Sequence, residues 1–122
     1  MVDALNATAL TGIRVLDLGQ IYNGSYATMM MAMAGADVIK VEPLRGETLR
    51  GRGPASPSAF AFNFLNQNKR SITVNLKDSR GLALFKRLVS EADVVLENFA
   101  PDTMIDLGLS YDQLREINPK LI

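Results

Sequence analysis

The segment from Gly12 to Glu42 constrains the fold more than any other part of the chain. Ile13 to Leu18 is a run of large aliphatics interrupted by Arg14 and Asp17, and its length suits a strand. Gly19 and Gly24 bracket a loop whose backbone can come close to a ligand. Ser25 to Ala34 is apolar on nearly every side, which predicts a buried helix. Gly35 supplies the left-handed residue that stops it, and Val38 to Glu42 opens a second strand. Parallel strands joined by a crossover helix form a βαβ unit, right-handed in nearly all cases.

The rest of the chain keeps alternating. Pro43 to Pro54 reads as loop from its glycine and proline content, with Arg45, Arg50 and Arg52 set among glycines. Guanidinium groups in such a loop suit phosphates, and a solvated surface loop is the alternative. Ala59 to Leu65 alternates aromatic and small residues. Rings can stack on an adenine, but Phe60, Phe62 and Phe64 are expected in the core because they bury so much area. Asn66 to Arg70 is a polar turn. Ser71 to Leu76 is a strand with Ile72, Val74 and Leu76 on one face. Asp78 or Ser79 caps a helix whose Leu82, Phe85, Leu88 and Val89 fall at helical spacing.

Asp93 to Glu97 is a further strand with an aliphatic centre. Pro101 suits the first turn of a short helix closed by Gly108. Ser110 and Gln113 make a capping box for a last helix that ends at Asn118-Pro119. Lys120 to Ile122 reads as the opening of another strand. Together these elements predict an α/β fold, a Rossmann-like open and mostly parallel sheet with helices on both faces. Residues 1–11 are expected as a loose leader and 12–122 as the domain. Ending on the first residues of a strand leaves backbone groups unpaired, so the sequence is expected to be an N-terminal fragment.

Composition narrows the functional classes. Thirteen basic residues balance thirteen acidic ones, so no charge excess favours nucleic acid or a membrane surface. Cysteine and histidine are both absent, which removes disulfides, thiolate metal sites and the commonest general base. No metal is expected. No apolar run is long enough to span a membrane, and residues 1–11 lack a signal-peptide pattern, so a cytoplasmic setting is expected.

Open α/β sheets bind ligands beyond the C-terminal ends of their strands. Three such ends are visible: Gln20 to Gly24, Lys77, and Asn98 to Ala100. The helix starting near Ser25 also points its free N–H groups at that crevice. Gly19 and Gly24 are five residues apart but form no G-x-G-x-x-G fingerprint, and no P-loop is present, so NAD and nucleoside triphosphates are not indicated. Asp17 and Glu42 are read as local hydrogen-bonding residues rather than catalysts.

Several blocks carry a family resemblance: Asp17-Leu18, the loop containing Gly24, Tyr26-Ala27, Gly35 to Pro43, Asn66 to Ser71, and Ala92 to Phe99. In this order, over roughly Leu10 to Ile122, they resemble the class III (CaiB/BaiF) CoA-transferases, which include formyl-CoA and carnitine CoA-transferases. α-Methylacyl-CoA racemases are relatives. The resemblance implies that residues 12–122 are the N-terminal part of the large domain of an enzyme that binds coenzyme A. By position it assigns coenzyme A contacts to Ile21, Tyr22 and Asn23, to Val74, Asn75, Leu76 and Lys77, and to Asn98, Phe99 and Ala100.

It further implies transfer of coenzyme A from an acyl-CoA to a small carboxylic acid through a covalent aspartyl-CoA intermediate. The nucleophile lies downstream, so no catalytic residue is assigned, and residues 1–122 alone are expected to be inactive. Family members form interlocked homodimers, which this length cannot complete, leaving the apolar helix poorly covered and prone to aggregation. The sequence departs from formyl-CoA-transferase-like members at four positions. Tyr22 replaces glutamine, Ser25 replaces proline, and Pro43 and Asp106 replace arginines, so Arg45, Arg50 or Arg52 is expected to take over phosphate pairing. These differences point away from a formyl or oxalyl substrate. An acyl-CoA racemase and a non-catalytic nucleotide-binding module remain the alternative readings.

Overall fold

The computed structural model describes residues 7–51 and 57–122. Four parallel strands form one sheet in the order β3-β2-β1-β4. β1 (Arg14–Asp17) lies between β2 (Asp37–Glu42) and β4 (Val94–Leu96), and β3 (Arg70–Thr73) flanks β2. The crossover helices are α1 (Asn23–Met33), α2 (Pro57–Leu65) and α3 (Ser79–Val89), followed after β4 by α4 (Thr103–Asp106) and α5 (Tyr111–Ile117). The chain moves outward from β1 through β2 to β3, then returns to place β4 on the opposite side of β1. Loops leaving β1 and β4 therefore diverge, and a crevice opens between them. Ile122 lies beside β4, donating its N–H to the Asp93 carbonyl and accepting from the Val95 N–H.

Period-two alternation sorts the strand residues onto two faces. Val15 and Val38 pack with Ala32 and Ala36 beneath α1. Leu16, Leu18, Ile39 and Val41 point the other way, into a larger core closed by Phe85 and Val89 of α3 and Leu114 of α5. Local signals placed most helix ends. Asp78 caps α3 by accepting from the Arg80 N–H at 2.9 Å, and Ser110 and Gln113 form the reciprocal capping box of α5. Gly35 and Gly108 adopt φ of 95° and 69° where their helices stop.

Three expectations change. α1 is buried on one side only, through Ser25, Thr28, Met29 and Ala32, while Tyr26, Met30 and Met33 are about half exposed. A helix apolar all round carries no pattern that says which side meets the sheet. In α2, Phe62 is in the core, but Phe60 and Phe64 lie four residues apart on the outer side and stack with ring centroids 6.2 Å apart. The strand expected over Ser71 to Leu76 stops at Thr73, because Asn75 folds the chain into a turn through the N–H groups of Lys77 and Asp78. Val74 and Leu76 still join the core predicted for them. Within the leader, described from Ala7, the Leu10 N–H donates to the Ala34 carbonyl at 2.9 Å.

α3 rests directly on the Asn75 turn, and an added Cβ at Gly81 would stand 2.1 Å from the Asn75 carbonyl oxygen. Gly81→Ala is expected to destabilise the protein by about 1–3 kcal/mol, read as a lower midpoint of urea unfolding. An unchanged midpoint would show that this turn yields without cost.

Candidate functional site

Alternation aims Asp17 of β1 and Lys40 of β2 at the underside of α1, and both side chains are sealed from solvent there. Asp17 Oδ1 accepts from the Gly19 N–H at 2.8 Å. Its Oδ2 accepts from Thr28 Oγ1 at 2.7 Å and from Lys69 Nζ at 2.9 Å. Lys69 also donates to the Ser25 carbonyl and to Asn66 Oδ1, so all three of its ammonium protons have partners. Lys40 Nζ reaches the Gly19 carbonyl at 2.8 Å and Ser25 Oγ at 3.3 Å. Burial holds the Lys69 ammonium below the ordinary lysine range, with the Asp17 carboxylate opposing the shift. Asp17 is thus a structural hydrogen-bonding residue, as expected.

This platform carries the loop from Gly19 to Asn23. Gly19 and Gly24 pack backbone to backbone, since a Cβ on either would fall 2.7 Å from the other's main chain. Ile21 adopts φ 59°, a left-handed conformation that is costly for a β-branched residue. Its N–H is held at 2.9 Å by Glu47 Oε1, and its side chain packs against Leu49, Phe62 and Leu65. Across the crevice, the Asn98 amide grips both backbone groups of Gln20, accepting from its N–H at 2.7 Å and donating to its carbonyl at 3.0 Å. Among the described residues no side chain caps the start of α1.

A cavity of about 480 Å³ opens at the C-terminal ends of the strands, a size typical of small-molecule sites. Of the residues anticipated at the site, Val74, Asn75, Leu76, Lys77 and Phe99 line it together. Ile21, Tyr22, Asn23, Asn98 and Ala100 do not border it. Tyr22 and Asn23 are exposed where α1 begins, Ala100 is exposed after β4, and Asn98 acts on the cavity wall through Gln20. Gln20, Leu44, Arg45 and Glu47 also line the cavity; Gln20 and Arg45 were anticipated as a strand-end loop residue and a phosphate-pairing candidate, whereas Leu44 and Glu47 were not. Gln20 stands at a strand end, which was a usable signal. Glu47 sits in an aperiodic loop, and nothing local marks it.

The arginines of that loop are not equivalent. Arg50 makes two charge-assisted bonds to Glu42, at 2.6 and 2.8 Å, and its guanidinium lies 3.9 Å from the centroid of Phe62. Arg50 is therefore committed within the protein, whereas Arg45 is exposed at the cavity. Arg52 lies outside the described residues. Glu42 also accepts from Ser71 Oγ and from the Glu47 N–H. Burial pushes the Glu42 carboxyl upward, but the Arg50, Ser71 and Glu47 hydrogen bonds outweigh it and hold the pKa at about 2. The described residues contain no group of acidic side chains arranged to hold a metal ion, and no helix long and apolar enough to cross a membrane.

Comparison with known proteins gives a consistent result. The family model for CoA-transferase family III matches residues 10–122. The chain is 41% identical over 120 residues to a formyl-CoA:oxalate CoA-transferase of Streptomyces coelicolor, covering 97% of this chain and 29% of that protein. It is 46% identical over 122 residues to a succinate–glutarate CoA-transferase of Agrobacterium fabrum, covering 93% and 30% respectively. A solved CAIB/BAIF family protein of Brucella suis aligns with a TM-score of 0.88 at 41% identity, over 95% of this chain and 32% of that one. The chain spans less than a third of the length of these curated relatives.

The depressed Glu42 pKa sets an acid limit. Folding favours the ionised carboxylate, so this contribution to stability is complete above the ordinary value of 4.5 and is lost as pH falls toward 2. The unfolding midpoint is expected to drop more steeply between these pH values in the unsubstituted protein than in Glu42→Gln. Parallel curves would show that the Arg50 pair contributes nothing to acid sensitivity.

Proposed function

The chain belongs to CoA-transferase family III, and we propose that it is the coenzyme-A-binding N-terminal part of a larger enzyme that moves CoA from an acyl-CoA to a small carboxylic acid. The cavity at the strand ends is the observation that carries this reading, because it gathers Val74 to Lys77 and Phe99 beside the β1–β4 crevice. Lys77 presents an exposed ammonium for a phosphate oxygen. The half-buried Phe99 ring offers a face for a base or an apolar arm. Asn98 keeps the Gln20 backbone in place, and the uncapped start of α1 adds a positive dipole end at the crevice.

In this reading the chemistry is completed by an aspartate outside residues 1–122. Its carboxylate attacks the donor thioester and expels the CoA thiolate, which then opens the mixed anhydride to give an aspartyl-CoA thioester and the free donor acid. The acceptor acid repeats the sequence in reverse and leaves as the new thioester. An interlocked homodimer belongs to the same proposal on the strength of the family resemblance, and a cytoplasmic setting on the strength of the sequence pattern of residues 1–122.

The test uses the full-length protein that carries these residues, given an acyl-CoA and a panel of small carboxylic acids, with new thioesters separated by chromatography. CoA transfer is expected, and Lys77→Ala is expected to raise the KM for acyl-CoA about tenfold while leaving kcat nearly unchanged. Exchange of the α-proton with deuterated water in the absence of transfer would overturn the reading in favour of a racemase. Coenzyme A binding with neither reaction would leave a binding module.

A further inference from the structure

Glu47 is the one acidic residue at the cavity whose carboxylate is not fully used by the protein. It is 3% exposed. Oε1 accepts from the N–H groups of Ile21 and Leu49, at 2.9 and 3.2 Å. Oε2 is buried and, among the described residues, has no hydrogen-bond partner. Leaving a buried charged acceptor unmatched costs more than a neutral one, and Glu47 is one of the residues that line the cavity, so a ligand that enters beside this side chain and opens the packing over Oε2 completes its bonding. We propose that Glu47 is a specificity-determining residue, its Oε2 accepting a hydrogen bond from a neutral N–H or O–H donor on the pantetheine arm of the bound thioester. This rests on the function proposed above.

The chemistry of the oxygen selects the part of the ligand. An ionised carboxylate only accepts hydrogen bonds, so it cannot meet a phosphate or a substrate carboxylate, and its charge repels both. Arg45 and Lys77 also line the cavity and draw phosphates toward themselves. Hydroxyl donors on the ribose are flanked by phosphates and share their repulsion from Glu47. The pantetheine arm is uncharged beyond the diphosphate and carries two amide N–H groups and a hydroxyl. It is the section of the molecule that combines donors with no nearby negative charge.

The same side chain shapes the loop, so direct contact and loop support need separating. Glu47→Gln does this, because the N–H groups of Ile21 and Leu49 hold the amide oxygen at Oε1 and leave the NH₂ group at the position of Oε2. An acceptor becomes a donor while the loop keeps its anchor. In the full-length protein, inhibition constants are measured with two probes, pantetheine and adenosine 3′,5′-bisphosphate. Glu47→Gln is expected to weaken pantetheine by about tenfold or more and the bisphosphate by less than about twofold, with an unchanged unfolding midpoint. Pantetheine methylated on its amide nitrogens, tested on the unsubstituted protein, is expected to bind with a loss of similar size.

Equal weakening of both probes would reduce Glu47 to a support for the loop and overturn the proposal. Loss confined to the bisphosphate would assign Oε2 to the nucleotide instead, and no change for either would remove Glu47 from recognition. If the unsubstituted protein binds neither probe and no coenzyme A, the function proposed above falls and this inference with it.

Discussion

The buried carboxylate of Asp17 holds the functional end of this molecule together. It sits at the last position of β1, on the face that α1 covers, and its two oxygens take hydrogen bonds from the loop at Gly19, from Thr28 of α1 and from Lys69 ahead of β3. Lys40 lies 3.8 Å away and turns its own bonds to Gly19 and Ser25. An isolated charge at this depth is unsustainable, and removing one partner of such a pair typically costs about 3–5 kcal/mol. Two ammonium groups and one carboxylate meet here, and Glu47 supplies further negative charge toward Lys69. Strand end, crossover helix and the approach to β3 are thereby fixed to one another, and the loop between Gly19 and Asn23 has little freedom at either end.

What remains free is the shape of that loop between its anchors, and it is set from outside. A β-branched residue at positive φ costs on the order of 1–3 kcal/mol and persists only where its surroundings compensate. For Ile21 the compensation is visible on both sides. Its side chain enters the apolar cluster of Leu49, Phe62 and Leu65, and its N–H is taken by Glu47. Asn98 then fixes the preceding peptide across the crevice. Strain in one residue is distributed over contacts from the β2–α2 loop, α2 and the β4 end. These three segments meet only because the strand order reverses between β1 and β4.

That geometry explains which features were legible in the sequence. The βαβ unit, the left-handed stop at Gly35, the cap at Asp78 and the capping box at Ser110 are decided within a few residues, so local pattern was enough. The parallel sheet follows from the alternation of elements. By contrast, the exposed side of α1 was unreadable, because Tyr26, Met30 and Met33 are as apolar as the residues opposite them. Phe60 and Phe64 were assigned to a core that only Phe62 reaches, since the segment turned out to be helical and places them four residues apart on one side. At the site, strand-end reasoning named Lys77, Phe99 and Asn98; the first two line the cavity, and Asn98 stands just behind it after β4. It supports the wall through Gln20 and does not border the cavity. Glu47, Lys40 and Lys69 escaped notice because the partners that tie them to the first loop, Ile21, Ser25 and Asp17, lie 15 to 52 residues away in sequence.

The arginine-rich loop shows how far composition alone can mislead. Three guanidinium groups among glycines suggest a single cationic patch, but Arg50 is held by Glu42 and stacked on Phe62, so its charge is neutralised within the fold. What Arg50 contributes is position: by binding Glu42 it closes the Pro43–Glu47 turn against β2 and brings the Glu47 carboxylate under Ile21. The cationic function at the cavity is left to Arg45 and Lys77, which stand on different loops and remain exposed. A site arranged this way has cations where solvent reaches and carboxylates, one paired and one with an oxygen still to be matched, where solvent does not. Such a division favours a ligand with an anionic end and an uncharged, donor-bearing arm. Under the proposed function, where Pro43 and Asp106 stand in place of two arginines the family resemblance leads one to expect, the requirement is for charge at the rim, and a loop held by the Glu42–Arg50 pair presents it from Arg45.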